Sequence, residues 1–179
     1  MLFMSKPMKW HHRTTFLILL VFICGCSLVH QEGDKNHLLL IETIFSGIHG
    51  LNTDREASIK WITSSEQFRV FVSGFGKQRL SNNTVSMPDI NFDHSWALLI
   101  EMGQKPTGGY SVSLDKFSSC LSDETTVIRI NWNTPNKDAL MTQMITSPYL
   151  MLRLSKGNFK KVVVVDQEGR MRFEVKTPE

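Results

Sequence analysis

The sequence predicts a mainly β fold, a β-sandwich or partly open barrel of short antiparallel strands with one short helix. Three observations carry this. From Phe92 onward, short apolar or alternating runs are separated by turn residues at the intervals of all-β architectures. Only one segment, beginning at Ser64, carries a helix start followed by helical spacing. A single helix cannot cover so many strands, so the strands must cover one another.

The elements follow in chain order. Leu38–Phe45 is apolar enough for a strand closed by Ser46-Gly47, and Gly50–Arg55 reads as a turn. Ala57–Thr63 alternates, with Ile59, Trp61 and Thr63 on one side and Ser58, Lys60 and Ile62 on the other, as in a half-buried strand. Ser64 and Gln67 form a capping-box pair. Phe68, Phe71, Val72 and Phe75 then recur at helical spacing as a core stripe, until Gly74 and Gly76 end the helix. Lys77–Asn91 is a polar connection. Its Asn82-Asn83-Thr84 has the form of a glycosylation sequon without the context for one.

Trp96–Met102 is the next strand, with Gly103–Thr107 as a loop. In Tyr110–Phe117, Tyr110, Val112 and Leu114 share one face, and Ser111, Ser113 and Asp115 the other. Thr125–Trp132 is a strand in which Val127 and Arg129 are expected out of phase. Leu140–Thr146 is a short strand, and Tyr149–Leu154 another whose ladder is blocked at its start by Pro148. Lys161–Val165 and Met171–Val175 flank Asp166–Arg170 as a hairpin, with Gly169 at the positive-φ position. Val162–Val165 is continuously apolar, so it is expected as a central strand covered on both faces. No internal repeat, low-complexity tract or second domain is evident, so residues 37–179 are expected to form one domain.

The N-terminus carries a different message. Lys6, Lys9 and Arg13 precede the apolar run Phe16–Cys26 (FLILLVFICGC), the layout of a secretory signal and too short for a permanent span. Ile23-Cys24-Gly25-Cys26 resembles the bacterial lipobox. That resemblance implies cleavage after residue 25 and lipidation of Cys26, with a diacyl or triacyl anchor of the palmitate type. Residues 26–36 then read as a polar tether. The implied localisation is the cell envelope, and the outer membrane in a Gram-negative organism, since Ser27 rather than Asp follows the Cys. An uncleaved signal anchor and an ordinary secreted protein are the alternatives.

The formal charge is +3, from 20 Lys+Arg against 17 Asp+Glu. Residues 1–25 hold three of those bases and no acid, so the remainder is neutral and carries no nucleic-acid footprint. With Cys24 removed and Cys26 acylated, Cys120 has no internal partner for a disulfide.

Chemistry-bearing patterns are sparse. His30, His37, His49 and His94 are scattered without metal-ligand spacing, and no metal or cofactor is expected. Gly74-Phe75-Gly76-Lys77 lacks the phosphate-loop spacing, and no Gly-x-Ser-x-Gly elbow occurs. His94 beside Asp93 allows one enzymatic alternative: a hydrolase using Cys120 or a serine as nucleophile. The bland reading is a turn Asp-His before a strand. Lys156, Lys160 and Lys161 around Gly157 read as a solvated hairpin tip or as a contact for anionic headgroups.

One loop stands out. In Lys105-Pro106-Thr107-Gly108-Gly109-Tyr110, Pro106 fixes a backbone angle and the two glycines permit tight turns and close approach. A plain hairpin connection is the simplest account of it. In wider context residues 89–166 resemble the C-terminal domain of the PrcB family, named for a lipoprotein subunit of a bacterial protease complex. The segments that carry the resemblance are Asp89–Asp93, Glu101–Val112, Thr134-Pro135 and Gln143–Tyr149. It implies a non-catalytic envelope protein that assembles or stabilises a protease complex, or a scaffold of similar shape with another partner. The residues it singles out for partner binding are Pro106, Thr107, Gly108, Gly109, Tyr110, Ser147, Pro148 and Tyr149. Pro-Thr-Gly-Gly-Tyr also resembles the Pro-Thr-Thr-Gly-Tyr loop of chagasin-type cysteine-protease inhibitors. The second and third inhibitory loops of that family have no counterpart here. Three functions therefore stand side by side: a protein-binding envelope lipoprotein, an envelope hydrolase, and a purely structural envelope lipoprotein.

Overall fold

A computed structural model of the chain describes residues 39–78, 88–122, 124–136 and 138–178, without the side chains of 75–78 and 116–122. The signal segment, Cys26, the tether, the sequon and the Cys120 thiol therefore lie outside the described residues.

The elements are β1 (Ile41–Gly47), β2 (Ser58–Ile62), α1 (Ser65–Gln78), β3 (Ser95–Glu101), β4 (Ser111–Ser122), β5 (Thr125–Asn133), β6 (Tyr149–Ser155), β7 (Lys161–Val165) and β8 (Met171–Lys176). Among the described residues they form two four-stranded sheets, ordered β1-β6-β3-β2 and β4-β5-β7-β8. The sandwich expectation holds, and no barrel closes. One pair departs from the antiparallel rule: β5 and β7 run parallel, Thr125 opposite Lys161 and Arg129 opposite Val165. The chain leaves β5, crosses to the first sheet for β6 and returns for β7, which allows a parallel pairing without a helix between them.

The main core lies between the sheets. Leu98, Ile100 and Met102 meet Leu150, Leu152 and Leu154 from the first sheet, facing Val112, Ile128, Ile130, Val162 and Val164 of the second. Full burial of each such side chain contributes about 1.5–3 kcal/mol. A second cluster occupies the outer face of the first sheet. There Phe68 of α1 packs with Ile62, Ala97, Leu99, Tyr149 and Met151. Phe45 and Phe92 flank Phe68 at ring separations of 6.2 and 6.0 Å. The described elements therefore form three layers, α1 over one sheet over the other. That explains why β3 and β6, rather than β7, are buried at consecutive positions.

β7 is an inner strand by pairing, yet its burial alternates: Val162 and Val164 are buried while Val163 and Val165 are half-exposed. β2 has the predicted phase but is covered on both sides, with Ile59 and Trp61 against the main core and Ile62 against the helix-side cluster. In β5, Thr126, Ile128, Ile130 and Trp132 point inward, so Val127 and Arg129 share the other face, as residues two apart must.

Two further expectations are corrected. The helix runs through Gly74 and Gly76 to Gln78. At Gly74 a side chain would meet Leu51 Cδ1 at 2.6 Å, so that glycine permits close approach rather than termination. Residues 140–146 are not a strand: Leu140 is fully exposed, and only Thr146 and Ser147 make isolated bridges. Pro148 lies just before β6, whose pairing begins at Tyr149 as expected, and its carbonyl accepts the Met102 N–H at 2.9 Å.

The helix start is close to the predicted one. The Gln67 N–H donates to Ser64 Oγ at 3.3 Å, while Gln67 Oε1 accepts the Thr63 N–H at 2.9 Å, one residue earlier than in a capping box. The β7–β8 hairpin has Gly169 at φ 79°, as expected. No described helix is long and apolar enough to cross a membrane.

Candidate functional site

Three loops converge at the end of the sandwich where β1 and β3 finish and β6 begins. They are residues 48–57, 102–110 and 134–148. The last is unusually long for a connection without regular structure, and such loops commonly carry function.

Backbone hydrogen bonds zip the three together. The Lys105 N–H donates to the Thr146 carbonyl at 2.7 Å, and the Thr146 N–H returns to Lys105 at 3.0 Å. Thr146 Oγ1 donates to the Thr107 carbonyl at 3.0 Å, and the Gly108 N–H to Thr142 at 3.0 Å. On the other side, the Ser147 N–H donates to Ile48 at 2.8 Å and the Gly50 N–H to Ser147 at 2.6 Å. The Gln104 N–H reaches the Asp54 carbonyl at 2.7 Å. The two motifs that lie forty residues apart in sequence are thus one unit.

Two glycines make this possible. Gly103 adopts φ 74° with the carbonyls of Arg55 and Glu56 where a side chain would start, and Gly109 adopts φ 85° against Met141 and Pro135. Neither position tolerates a Cβ without strain.

The eight residues singled out in the sequence divide by exposure. Pro106 and Gly109 are exposed; Thr107, Gly108, Tyr110 and Ser147 are half-buried. Pro148 and Tyr149 are buried, and Tyr149 belongs to the helix-side core, its ring lying against Gly47 and Gly50. Those two support the site rather than present a surface. Lys105 Nζ stands 5.9 Å from the centre of the Tyr110 ring, a cation–π arrangement that steadies the loop end.

Sequence reasoning missed the apolar residues around this unit. Leu140 is 102% exposed, Ile145 62%, Ile48 39% and Met144 38%. All four lie on the loops of this end, and exposed apolar side chains mark interaction surfaces where they cluster. The signal was present in the text Leu140–Ile145, where it reads equally well as a short strand. Between Ile145, Ser147, His49, Asn52 and Gln104 lies a shallow depression of about 420 Å³.

The catalytic alternative rests on Asp93, His94 and Cys120. Asp93 and His94 sit in a turn, with the Asp93 N–H on Asn91 Oδ1 at 2.9 Å and the His94 carbonyl accepting from Lys156 at 2.8 Å. Cys120 lies opposite Val127 in β4, and its thiol is outside the described residues. Among the described residues no group of three or more His, Cys, Asp or Glu is placed to hold a metal. The lysines around Gly157 have partners: Lys160 pairs with Glu124 at 2.8 Å, Lys161 with Glu174 at 3.4 Å, and Lys156 lies 5.3 Å from the Trp96 ring centre.

Residues 97–155 match the PrcB C-terminal family. This is the family that the motif order had suggested, matched over about a third of the chain. The matched block runs from within β3 to the end of β6. It therefore takes strands from both sheets and contains two of the three site loops, with residues 48–57 outside it. No curated protein and no solved structure matches the chain.

Proposed function

We propose that this chain is a non-enzymatic envelope lipoprotein that binds another envelope protein through its loop end. The PrcB C-terminal match points to a subunit associated with a protease complex. The observation that carries the reading is the exposed apolar set Ile48, Leu140, Met144 and Ile145, mounted on loops zipped rigid by backbone hydrogen bonds beside Pro106–Tyr110. A pre-organised apolar surface loses little entropy on association, which suits recognition. Cys26, acylated, would hold the domain at the membrane.

The test is a photo-crosslinking residue at Ile145 in native membranes, with adducts identified by mass spectrometry. A discrete protein adduct is expected, and its loss when Leu140 and Met144 are both changed to Asp. An adduct pattern unaffected by those changes, or none at all, would overturn the reading. Labelled-palmitate incorporation in wild type and its absence in Cys26→Ala test the anchor separately.

A further inference from the structure

Among the described residues two carboxylates are buried, and they are treated very differently. Asp166 accepts backbone N–H groups from Glu168 and Arg170, and the guanidinium groups of Arg170 and Arg172 as well. Glu101, 3% exposed, receives one hydrogen bond, from Ser58 Oγ at 2.9 Å, and the Lys60 ammonium stands 3.6 Å away. Both partners act on Oε2. Glu101 is thus more lightly paired than Asp166, although among the described residues Thr126 Oγ1 alone is fully buried without a partner. Lys60 is a loose partner, its side chain 63% exposed and beyond direct hydrogen-bond distance.

Glu101 forms part of the lining of a groove of about 490 Å³ between the 51–54 loop, β2, β3 and α1. Leu51, Val70, Phe71 and Leu99 supply apolar walls, and Asp54 adds a second carboxylate. Carboxylates outnumber cations in that lining, two to the single Lys60. A groove whose walls combine apolar side chains with carboxylates is complementary to a cation on a hydrocarbon stem. The groove adjoins the depression beside Ile145, since Asn52 and Thr53 line both.

We infer that this groove takes an arginine or lysine side chain of the protein partner, its stem along Leu51 and Phe71 and its charged head on Glu101, displacing Lys60. This rests on the protein-binding function proposed above and names the chemistry of the partner. The Lys60 ammonium acts as an internal stand-in for the incoming cation.

Titration of the full chain in detergent micelles with butylguanidinium, against neutral butylurea at constant ionic strength, tests the groove itself. Amide resonances of Glu101 and the Trp61 indole are the readout. Butylguanidinium should give saturable shifts that butylurea does not, and Glu101→Gln should abolish them while the rest of the spectrum is retained. Lys60→Ala should tighten binding roughly threefold to fivefold, the value of a released exposed ion pair. Equal shifts from butylurea, no saturable shift, or a Lys60→Ala chain that binds no more tightly would overturn the inference. In membranes, Glu101→Gln should cut the Ile145 adduct yield at least threefold. Full yield in that variant removes the groove from the interface and leaves the proposed function standing. Butylguanidinium binding without any protein adduct overturns the assignment to a protein side chain and the proposed function together.

Discussion

Asp166→Asn should destabilise the domain by about 3 kcal/mol at neutral pH, and the loss should disappear in acid. Asp166 sits at the start of the β7–β8 turn with its side chain fully buried. Its Oδ1 accepts the Glu168 and Arg170 N–H groups, each at 2.9 Å, and an asparagine oxygen can keep both. Its Oδ2 accepts Arg170 Nε at 3.0 Å and Arg172 through Nε at 2.9 Å and a terminal nitrogen at 2.7 Å. The amide would turn an N–H₂ toward those donors. Hydrogen bonds to charged groups contribute about 1.5–3 kcal/mol each. The two guanidinium groups are 59% and 29% exposed, so water replaces part of what is lost, and the low end applies to each. Burial alone would raise the Asp166 carboxyl, but the backbone and guanidinium hydrogen bonds of Arg170, Glu168 and Arg172 outweigh it and lower its pKa from 3.8 to about 2. Stabilisation by this group is therefore fully present above about pH 4 and fades as the pH falls through about 2. Urea unfolding followed by circular dichroism at pH 7, 4.5 and 2.5 measures the gap between wild type and variant. The account predicts a gap constant down to about pH 4 and narrowing below it. A gap under about 1 kcal/mol at pH 7, or one independent of pH, would refute the reasoning.

Other outcomes follow from packing. Gly103→Ala should cost at least 2 kcal/mol in a chemical melt, because its φ of 74° and the Arg55 and Glu56 carbonyls both oppose a methyl group. A variant as stable as wild type would show that the 52–57 loop yields freely. Leu152→Ala, at a fully buried position in the main core, should lose about 2–5 kcal/mol, whereas Leu140→Ala at a fully exposed one should change stability by less than about 0.5 kcal/mol. Comparable losses at both sites would contradict the assignment of Leu140 to the surface. Trp61→Phe removes the indole N–H bond to the Lys176 carbonyl at 2.8 Å, which ties the edge of one sheet to the other, and should cost about 1 kcal/mol.

Much of the fold is written in local pattern. Tyr110, Val112 and Leu114 face the core as their alternation requires, and Gly169 takes the positive φ its hairpin needs. What escaped reading is what depends on partners distant in sequence. Trp-Ala-Leu-Leu-Ile and Tyr-Leu-Met-Leu announce strands covered on both faces, yet the Val162–Val165 run looked equally so. Only the seating of α1 over β3 and β6 separates them. Leu140–Ile145 is apolar enough for a strand, but no neighbour offers it a ladder, so it stays a surface loop. The site was half visible: the Gly-Gly-Tyr and Ser-Pro-Tyr segments were singled out, while their joining through Lys105 and Thr146 is a tertiary event. The burial of Glu101 has no local signature, since its strand phase directs it under a helix whose placement the sequence does not encode nearby.

Recognition by the loop end is tested most directly by comparing photo-crosslinkers at opposite ends of the sandwich, at Ile145 and at Lys156, in the same native membranes. A discrete protein adduct at Ile145 with none of the same mass at Lys156 is the predicted result. The same adducts from both positions, or an adduct at Lys156 alone, would place the protein's business elsewhere on its surface.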